Sequence, residues 1–486
     1  MNGRRGQNGA VDWGSIIAAM PGEGLAALQA VRHELLLFAA FWFIVGALDE
    51  IAVDLAWLWL RLTGRGKAER LPRRCEGQPL SGRAAVIVPA WREAEVIGAM
   101  VRHTLDTWPQ WQLSLYVGCY RNDPATLAAV VAAARDDPRL RIVVHDNLGP
   151  TTKADCLNRL YRALAEDEAR SGVPFAMVVI QDAEDMVHPA GLPAMDRALA
   201  SADFVQLPVR PEIHPGSRWI SAHYADEFTE SHAKAMVVRD HLGAALPTAG
   251  VGCAFSRPML ERLEDLRRRE GLAGPFASDC LTEDYELGLL ITRLGGRGRF
   301  LRLRDSSGEL VATRSYFPSG LEEAVRQKTR WVHGIALQGW DRLGWKGRLV
   351  DIWMAMRDRR GPLTALVLFV AYMLVLIEGV LALSAVSGLA PYPALSPELA
   401  LMLRLTLLAL VWRMAFRFAC TAREYGWAEG LRALLRMPLA NVIAILSGRR
   451  AILAYLATLK GEALVWDKTA HRVHPAAFRR DGSLAG

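Results

Sequence analysis

Apolar positions fall into two regimes along the chain. Through the middle they form short runs separated by amphipathic stretches, and at the flanks they form runs long enough to cross a bilayer. The short runs predict strands at Ala84–Val88, Leu113–Val117, Arg141–Val144 and Phe175–Ile180. Between them, a helix is expected to begin near Glu93–Glu95, and a second, Thr126–Ala134, to be started by Asn122-Asp123-Pro124. A third, Lys153–Ala169, places Leu157, Leu160 and Leu164 on one face. Strands spaced by helices imply right-handed crossovers and a parallel sheet, so an α/β domain is expected. Phe175–Ile180, with Val178, Val179 and Ile180 together, suits a strand buried on both faces.

The long apolar runs set the domain organisation. Residues 1–33 form a Gly-rich N-terminal segment without a signal-peptide cleavage pattern. Residues 34–62 read as a transmembrane helix, interrupted by Asp49, Glu50 and Asp54, charges that are costly at depth unless paired or turned to a protein interior. Arg61, Arg65, Lys67, Arg70, Arg73 and Arg74 follow it and mark the cytoplasmic side. Residues 362–420 hold two further spans, Pro362–Val386 and Leu399–Cys420, around a connection free of Lys and Arg. In residues 421–486, Gly448, Arg449 and Arg450 divide the apolar Pro438–Leu459, so an interfacial or re-entrant hairpin is expected before a basic cytoplasmic tail. Residues 63–361 are then a cytoplasmic catalytic domain, and the chain a multi-pass protein of a bacterial inner membrane.

Composition agrees with this mixture. Of 486 residues 51% are hydrophobic, which fits a part-soluble, part-membrane chain. The formal charge of +7 is carried beside the apolar runs rather than along one stripe, which argues for membrane topology and against nucleic acid. The six cysteines are dispersed without zinc or redox spacing and read as buried thiols in a reducing compartment.

Candidate chemistry sits where strands end. Phe175–Ile180 runs straight into Asp182, Glu184 and Asp185, at the sheet edge where open α/β folds bind ligands. These oxygen ligands suit Mg²⁺ or Mn²⁺ and through it a diphosphate, although an acidic loop capping the next helix has the same composition. Pro89-Ala90-Trp91-Arg92-Glu93 closes the first strand and either offers an aromatic and a carboxylate to a base or is simply a turn. Asp123 is either a helix cap or a second base acceptor. Pro150-Thr151-Thr152-Lys153 joins a cation to a helix N-terminus with free N–H groups, a phosphate-binding combination, or Lys153 is an ordinary exposed lysine. Gly250 and Gly252 let backbone approach a ligand closely, or simply turn the chain. Thr282, Glu283 and Asp284 open an amphipathic helix as a cap, and a carboxylate held there can take a proton from a hydroxyl. Gln327, Arg330 and Trp331 share a helix face, combining a hydrogen bond, a bidentate phosphate grip and a stacking platform; an interfacial Arg/Trp anchor is the alternative.

The order of these motifs from Arg83 to Trp340 resembles the processive family-2 glycosyltransferases of the cellulose- and hyaluronan-synthase type. Within that group IQDAEDMVHP, NDPAT, GPTTKADCLN and the tail WDKTAHR resemble the coliphage adsorption protein B family of inner-membrane glycosyltransferase-like proteins. The resemblance implies a GT-A-like (Rossmann-like) cytoplasmic domain with flanking transmembrane and interfacial helices. It also implies an inverting hexosyltransferase that uses a UDP-sugar and Mg²⁺ or Mn²⁺. Pro89, Trp91, Glu93 and Asp123 would surround the uridine, with Lys153 near it. Asp182 and Glu184 would be the metal pair, with Asp185 adjacent. Asp284 would be the general base; Thr282, Glu283, Gln327, Arg330 and Trp331 would hold diphosphate and acceptor.

The acceptor is expected to be a growing polysaccharide or a lipid-linked sugar at the membrane lipid surface. Three spans are too few to enclose a polysaccharide channel, so an envelope export partner, a homo-oligomer or a lipid-linked acceptor is expected; nucleic acid is not. Related chains often carry a C-terminal nucleotide-sensing domain, and this chain is expected to end too soon to hold one. A catalytically inactive receptor or scaffold is the competing reading. A Rossmann oxidoreductase is disfavoured because VIVPAWREAE stands where G-x-G-x-x-G would be.

Overall fold

A computed structural model describes residues 22–66, 68–72, 75–462 and 474–475. The N-terminal segment up to residue 21, Lys67, Arg73, Arg74 and the tail motif at 466–472 lie outside the described residues. The chain forms two compact units, Met1–Ala52 with Leu363–Ala415, and Val53–Pro362 with Phe416–Gly486.

The larger unit is built on a seven-stranded sheet. Its strands are β1 Arg83–Pro89, β2 Leu113–Cys119, β3 Leu140–Val144, β4 Phe175–Ile180, β5 Phe204–Gln206, β6 Cys253–Ser256 and β7 Gly298–Phe300, in the order β3-β2-β1-β4-β6-β5-β7. The four strands expected from sequence are parallel neighbours. β6 runs antiparallel to both β4 and β5, so the sheet is mixed. The two-residue period of a strand distributes the side chains of β1 to two cores. Ala84, Val86 and Val88 join Ile97, Met100 and Val101 of the helix Ile97–Thr107. Ala85 and Ile87 join Leu157, Leu160 and Leu164 of the helix Lys153–Ser171. Both faces are dry, each buried aliphatic side chain contributing about 1.5–3 kcal/mol, and polar chemistry is left to the strand ends.

Four helices are long and apolar enough to cross a membrane: Gly24–Leu62, Gly361–Val386, Pro397–Tyr425 and Trp427–Leu459. In the smaller unit Leu36, Ala39 and Ala40 pack on Val370, Leu374 and Leu399, and Arg32 Nε bonds Glu378 Oε1 at 2.7 Å. In the larger unit two of the charges that interrupt the apolar runs, Asp54 and Arg417, are buried in ion pairs. Asp54 is 2% exposed and meets Lys234 Nζ at 2.5 Å, and Arg417 Nε meets Glu230 Oε2 at 2.7 Å.

The expected hairpin at the C-terminal end is corrected. Trp427–Leu459 is one continuous 33-residue helix. Gly448 and Ser447 are buried in it rather than breaking it, Thr329 Oγ1 lies 3.5 Å from Ser447 O, and Arg449 and Arg450 point outward. A small residue in a helix permits close packing as readily as it permits a break, and here packing against the helix Leu321–Trp331 decides.

Candidate active site

A cleft of about 610 Å³ opens at the C-terminal ends of β1, β2 and β4 and is walled by the N-terminus of the helix Glu283–Arg293 and by the helix Leu321–Trp331. Pro89, Trp91, Glu93, Lys153, Asp182, Glu184, Asp185, Thr282, Glu283, Asp284, Gln327, Arg330 and Trp331 all line it. Asp123 stands behind this lining, where the structure shows it as a helix cap. One of its oxygens accepts from Thr126 N at 3.3 Å as a helix cap and the other from Arg92 N at 2.5 Å. It therefore fixes the Pro89–Glu93 loop from beneath, where Arg92 is held at φ +54°.

That loop carries Trp91 edge-on to Tyr120, ring centroids 5.1 Å apart. Tyr120 in turn stacks on His145 and shares a 2.7 Å hydrogen bond with Thr151 Oγ1. Gly149 lies so close that a Cβ there would meet the indole at 2.4 Å. Asn122 holds Gly149 in place by bonding both its N–H and its carbonyl, at 2.9 and 2.6 Å. At the helix N-terminus beside Lys153, Thr152 and Asp155 form a reciprocal capping box that engages the N–H groups of those two residues. Lys153 instead sends its Nζ to Asp182 Oδ1 at 2.6 Å and to Gly250 O at 3.2 Å. Burial alone would lower its pKa, but Asp182, Glu283 and Asp284 together raise it above the ordinary lysine range.

The acidic turn divides its labour. Asp182 and Glu184 are half-buried on the cleft wall, whereas Asp185 is buried with Oδ2 accepting from Asp182 N at 2.7 Å. Burial, then the neighbouring Asp182 and Glu184 carboxylates, push Asp185 well above the usual carboxylate range. The Asp182 and Glu184 carboxylates are hard oxygen donors on the cleft wall, of the kind that fit a divalent cation; Lys153 pairs with Asp182, and Asp185 also lines the cleft.

Asp284 is held by the glycine-rich segment opposite. Gln206 Oε1 accepts from Ala249 N at 2.8 Å and Gln181 Oε1 from Gly252 N at 3.1 Å. Thr248 Oγ1 donates to the main-chain oxygen of Asp284 at 3.0 Å and accepts from Gly250 N at 3.3 Å. Gly250, at φ +71°, leaves room for the Asp284 carboxylate, which a Cβ would meet at 2.5 Å. Asp284 Oδ1 accepts from Tyr285 N at 2.7 Å. Burial raises the pKa of both Glu283 and Asp284; their mutual charge adds to Glu283, and Lys153 and Arg330 oppose the rise. Thr282 occupies the N-cap position but makes no side-chain cap bond, a departure from the expected cap. Its hydroxyl is packed against Gly334 and has no hydrogen-bond partner, and Gln327 Oε1 is likewise buried and unpartnered. Each asks for a ligand group.

The far wall was not anticipated from sequence. Phe228 and Phe317 flank Trp331 at centroid distances of 6.1 and 6.5 Å. Arg239 is pinned to Asp358 at 2.8 Å, and Asp358 also accepts from Tyr285 OH at 3.0 Å. No local pattern marks these residues; only Tyr120, an aromatic directly after a strand, carried a readable signal. Away from this cleft lining, His188, Asp305 and Glu309 bring ligand atoms within 4.8 Å of one another. His188 Nδ1 accepts from Ala190 N at 3.1 Å, so the neutral ring carries its proton on Nε2, 3.6 Å from Asp305. A cation there must displace that proton.

The sequence profile of the glycosyltransferase-like family 2 matches residues 82–334, just over half of the chain and nearly all of the cleft. The chain belongs to the family-2 glycosyltransferases. Its fold is accordingly GT-A-like. It is 32% identical to bacteriophage adsorption protein B of Escherichia coli K12 and to bacteriophage N4 adsorption protein B of E. coli O157:H7, over 89% of its own length and 61% of theirs. The chain thus spans less than two thirds of these relatives. Among solved structures it is similar to a mannosyltransferase of Pyrobaculum calidifontis in complex with GDP-Man and Mn²⁺, at 19% identity and a TM-score of 0.49, covering 83% of this chain and 98% of that one.

Proposed function

We propose that this family-2 glycosyltransferase is membrane-anchored and inverting, moving a hexose from a UDP-sugar to a growing polysaccharide or lipid-linked acceptor in envelope or exopolysaccharide synthesis. The observation that carries this reading is convergence: Lys153, Asp182, Glu184, Asp284, Gln327, Arg330 and Trp331, from four separate segments, meet in one cleft. Asp182 and Glu184 would hold Mg²⁺ or Mn²⁺, which when bound neutralises charge on the leaving diphosphate. Trp91 and Glu93 offer a ring and a carboxylate to the uracil. Trp331, with Phe228 and Phe317 behind it, offers a platform for the acceptor ring, and Gln327 and Thr282 have unmet hydrogen-bonding capacity beside it. Asp284 takes the proton of the acceptor hydroxyl as that oxygen bonds the anomeric carbon. The bond from that carbon to the diphosphate oxygen breaks, and UDP leaves against Arg330 and Lys153. A single displacement by a hydroxyl inverts the anomeric centre.

Calorimetric titration of the detergent-solubilised protein with UDP tests the donor half. Binding that requires Mn²⁺ or Mg²⁺ and is lost in Asp182→Asn is expected; a folded protein that ignores UDP with and without cation contradicts it. Gly250→Ala is expected to lower kcat about 10²-fold with UDP affinity unchanged, because the new methyl and the strained φ both push the base out of line. Stopped kinetics beside UDP titration separate the two quantities.

The pH dependence follows from the raised carboxyls. The base must be ionised, and the pKa of Asp284 lies above its ordinary value. Turnover should therefore rise with pH on an acid limb placed above the ordinary aspartate range, as a kcat profile at saturating donor would show. The effect on stability has the opposite sign. A carboxyl raised in the folded state favours folding at low pH and loses that contribution as pH climbs through its folded pKa.

A further inference from the structure

Beyond the two cleft-facing acids the turn continues as Asp185-Met186-Val187-His188, and each of these carbonyls accepts a hydrogen bond from a different part of the fold. His188 O accepts from Trp108 Nε1 at 2.9 Å and Val187 O from His103 Nε2 at 2.9 Å. Met186 O accepts from Arg314 N at 3.0 Å, and Asp185 O from His474 Nε2 at 3.0 Å. The first three donors belong to the α/β body, but His474 lies 289 residues further along the chain, past the last apolar helix. It is 1% exposed, and its ring stands 6.3 Å from that of His103. A carbonyl has no proton to give, so His474 Nε2 is the donor whether or not the ring is charged.

Asp185 links this bond to the cleft. Its main chain receives His474 while its carboxylate receives the N–H of Asp182, so the position of Asp182 depends on where Asp185 is held. Without a donor, the Asp185 carbonyl would be buried and unmet, at a cost that a small shift of the turn would relieve. We infer that His474 is a positioning residue for the acidic turn, a clamp from the C-terminal part of the chain that sets the separation of Asp182 and Glu184. The inference rests on the reading of those two residues as the cation and diphosphate ligands. It also gives a role to a residue close to the tail motif.

Full-length, detergent-solubilised His474→Ala and His474→Gln test it through two readouts, Mn²⁺-dependent UDP binding and hydrogen exchange of the amides from Asp182 to His188. His474→Ala is expected to weaken UDP binding about 3- to 10-fold and to speed exchange in that turn alone. His474→Gln, whose amide can reach the same carbonyl, should restore both to within about 2-fold. Unchanged binding and exchange in His474→Ala would overturn the inference, as would faster exchange spread evenly over the protein or a failure of glutamine to rescue. If the wild-type protein binds no UDP, the functional reading falls, and exchange in the turn still decides the clamp. Local loosening rescued by glutamine upholds it and an unaltered turn refutes it.

Discussion

Asp284→Asn is expected to lower kcat by about 10²–10⁴-fold while leaving Mn²⁺-dependent UDP binding within about 2-fold of wild type. Asparagine keeps the volume of the side chain and an oxygen able to accept from Tyr285 N, the 2.7 Å bond that orients the carboxylate. Thr248 still holds the main chain, and Lys153 still faces Asp182. Only the capacity to accept the acceptor's proton is removed. UDP titration and initial-rate measurements on the same preparation separate a lost base from a collapsed site. A variant with full turnover would take Asp284 out of the chemistry. A variant that loses UDP binding as well would make it a structural carboxylate of the cleft.

Arg436→Met is expected to destabilise the larger unit by about 3–5 kcal/mol, seen as an early thermal unfolding transition in detergent. Arg436 is 1% exposed, with Nε and Nη2 on the two oxygens of Asp226 at 2.7 Å each and Nη1 on Glu429 Oε2 at 2.8 Å. This is how the amphipathic Trp427–Leu459 is fastened to the helix Ile220–Glu230, whose continuation contributes His232, Met236 and Arg239 to the cleft. Burial already raises the Asp226 carboxyl despite the guanidinium, so losing Arg436 leaves an acid that must be protonated to remain inside. The deficit should therefore grow as pH rises and shrink on acidification. The double variant Arg436→Met, Asp226→Leu should recover part of it, because replacing both charges removes the uncompensated one.

The sequence was most readable where one face of an element is buried and its end carries chemistry. The runs of β1, β2 and β4 announced strands, and the acids following β4 and opening Glu283–Arg293 came to line the cleft. Asp123 was ambiguous because a cap and a base acceptor call for the same side chain; the structure shows the cap, together with a bond to the Arg92 N–H. The capping box at Thr152 and Asp155 is legible as a T-x-x-D pattern, and it sits directly beside the lysine. β5, β6 and β7 are only three or four residues long, too short for a period to register. The partners of Asp54 and Arg417 were out of reach, since Lys234 and Glu230 lie far away in sequence. His474 was unreadable for the same reason: a long-range bond to a carbonyl leaves no trace in composition.

The most direct test of the central claim is UDP release from a panel of UDP-sugars by the solubilised full-length protein with Mn²⁺ or Mg²⁺. The account predicts release from at least one donor, abolished by chelation and by Asp182→Asn, and reduced to near background by Asp284→Asn. A folded protein that binds UDP and cation yet releases no UDP from any donor, with or without membrane lipid and carbohydrate acceptors, would contradict it and leave a nucleotide-binding scaffold.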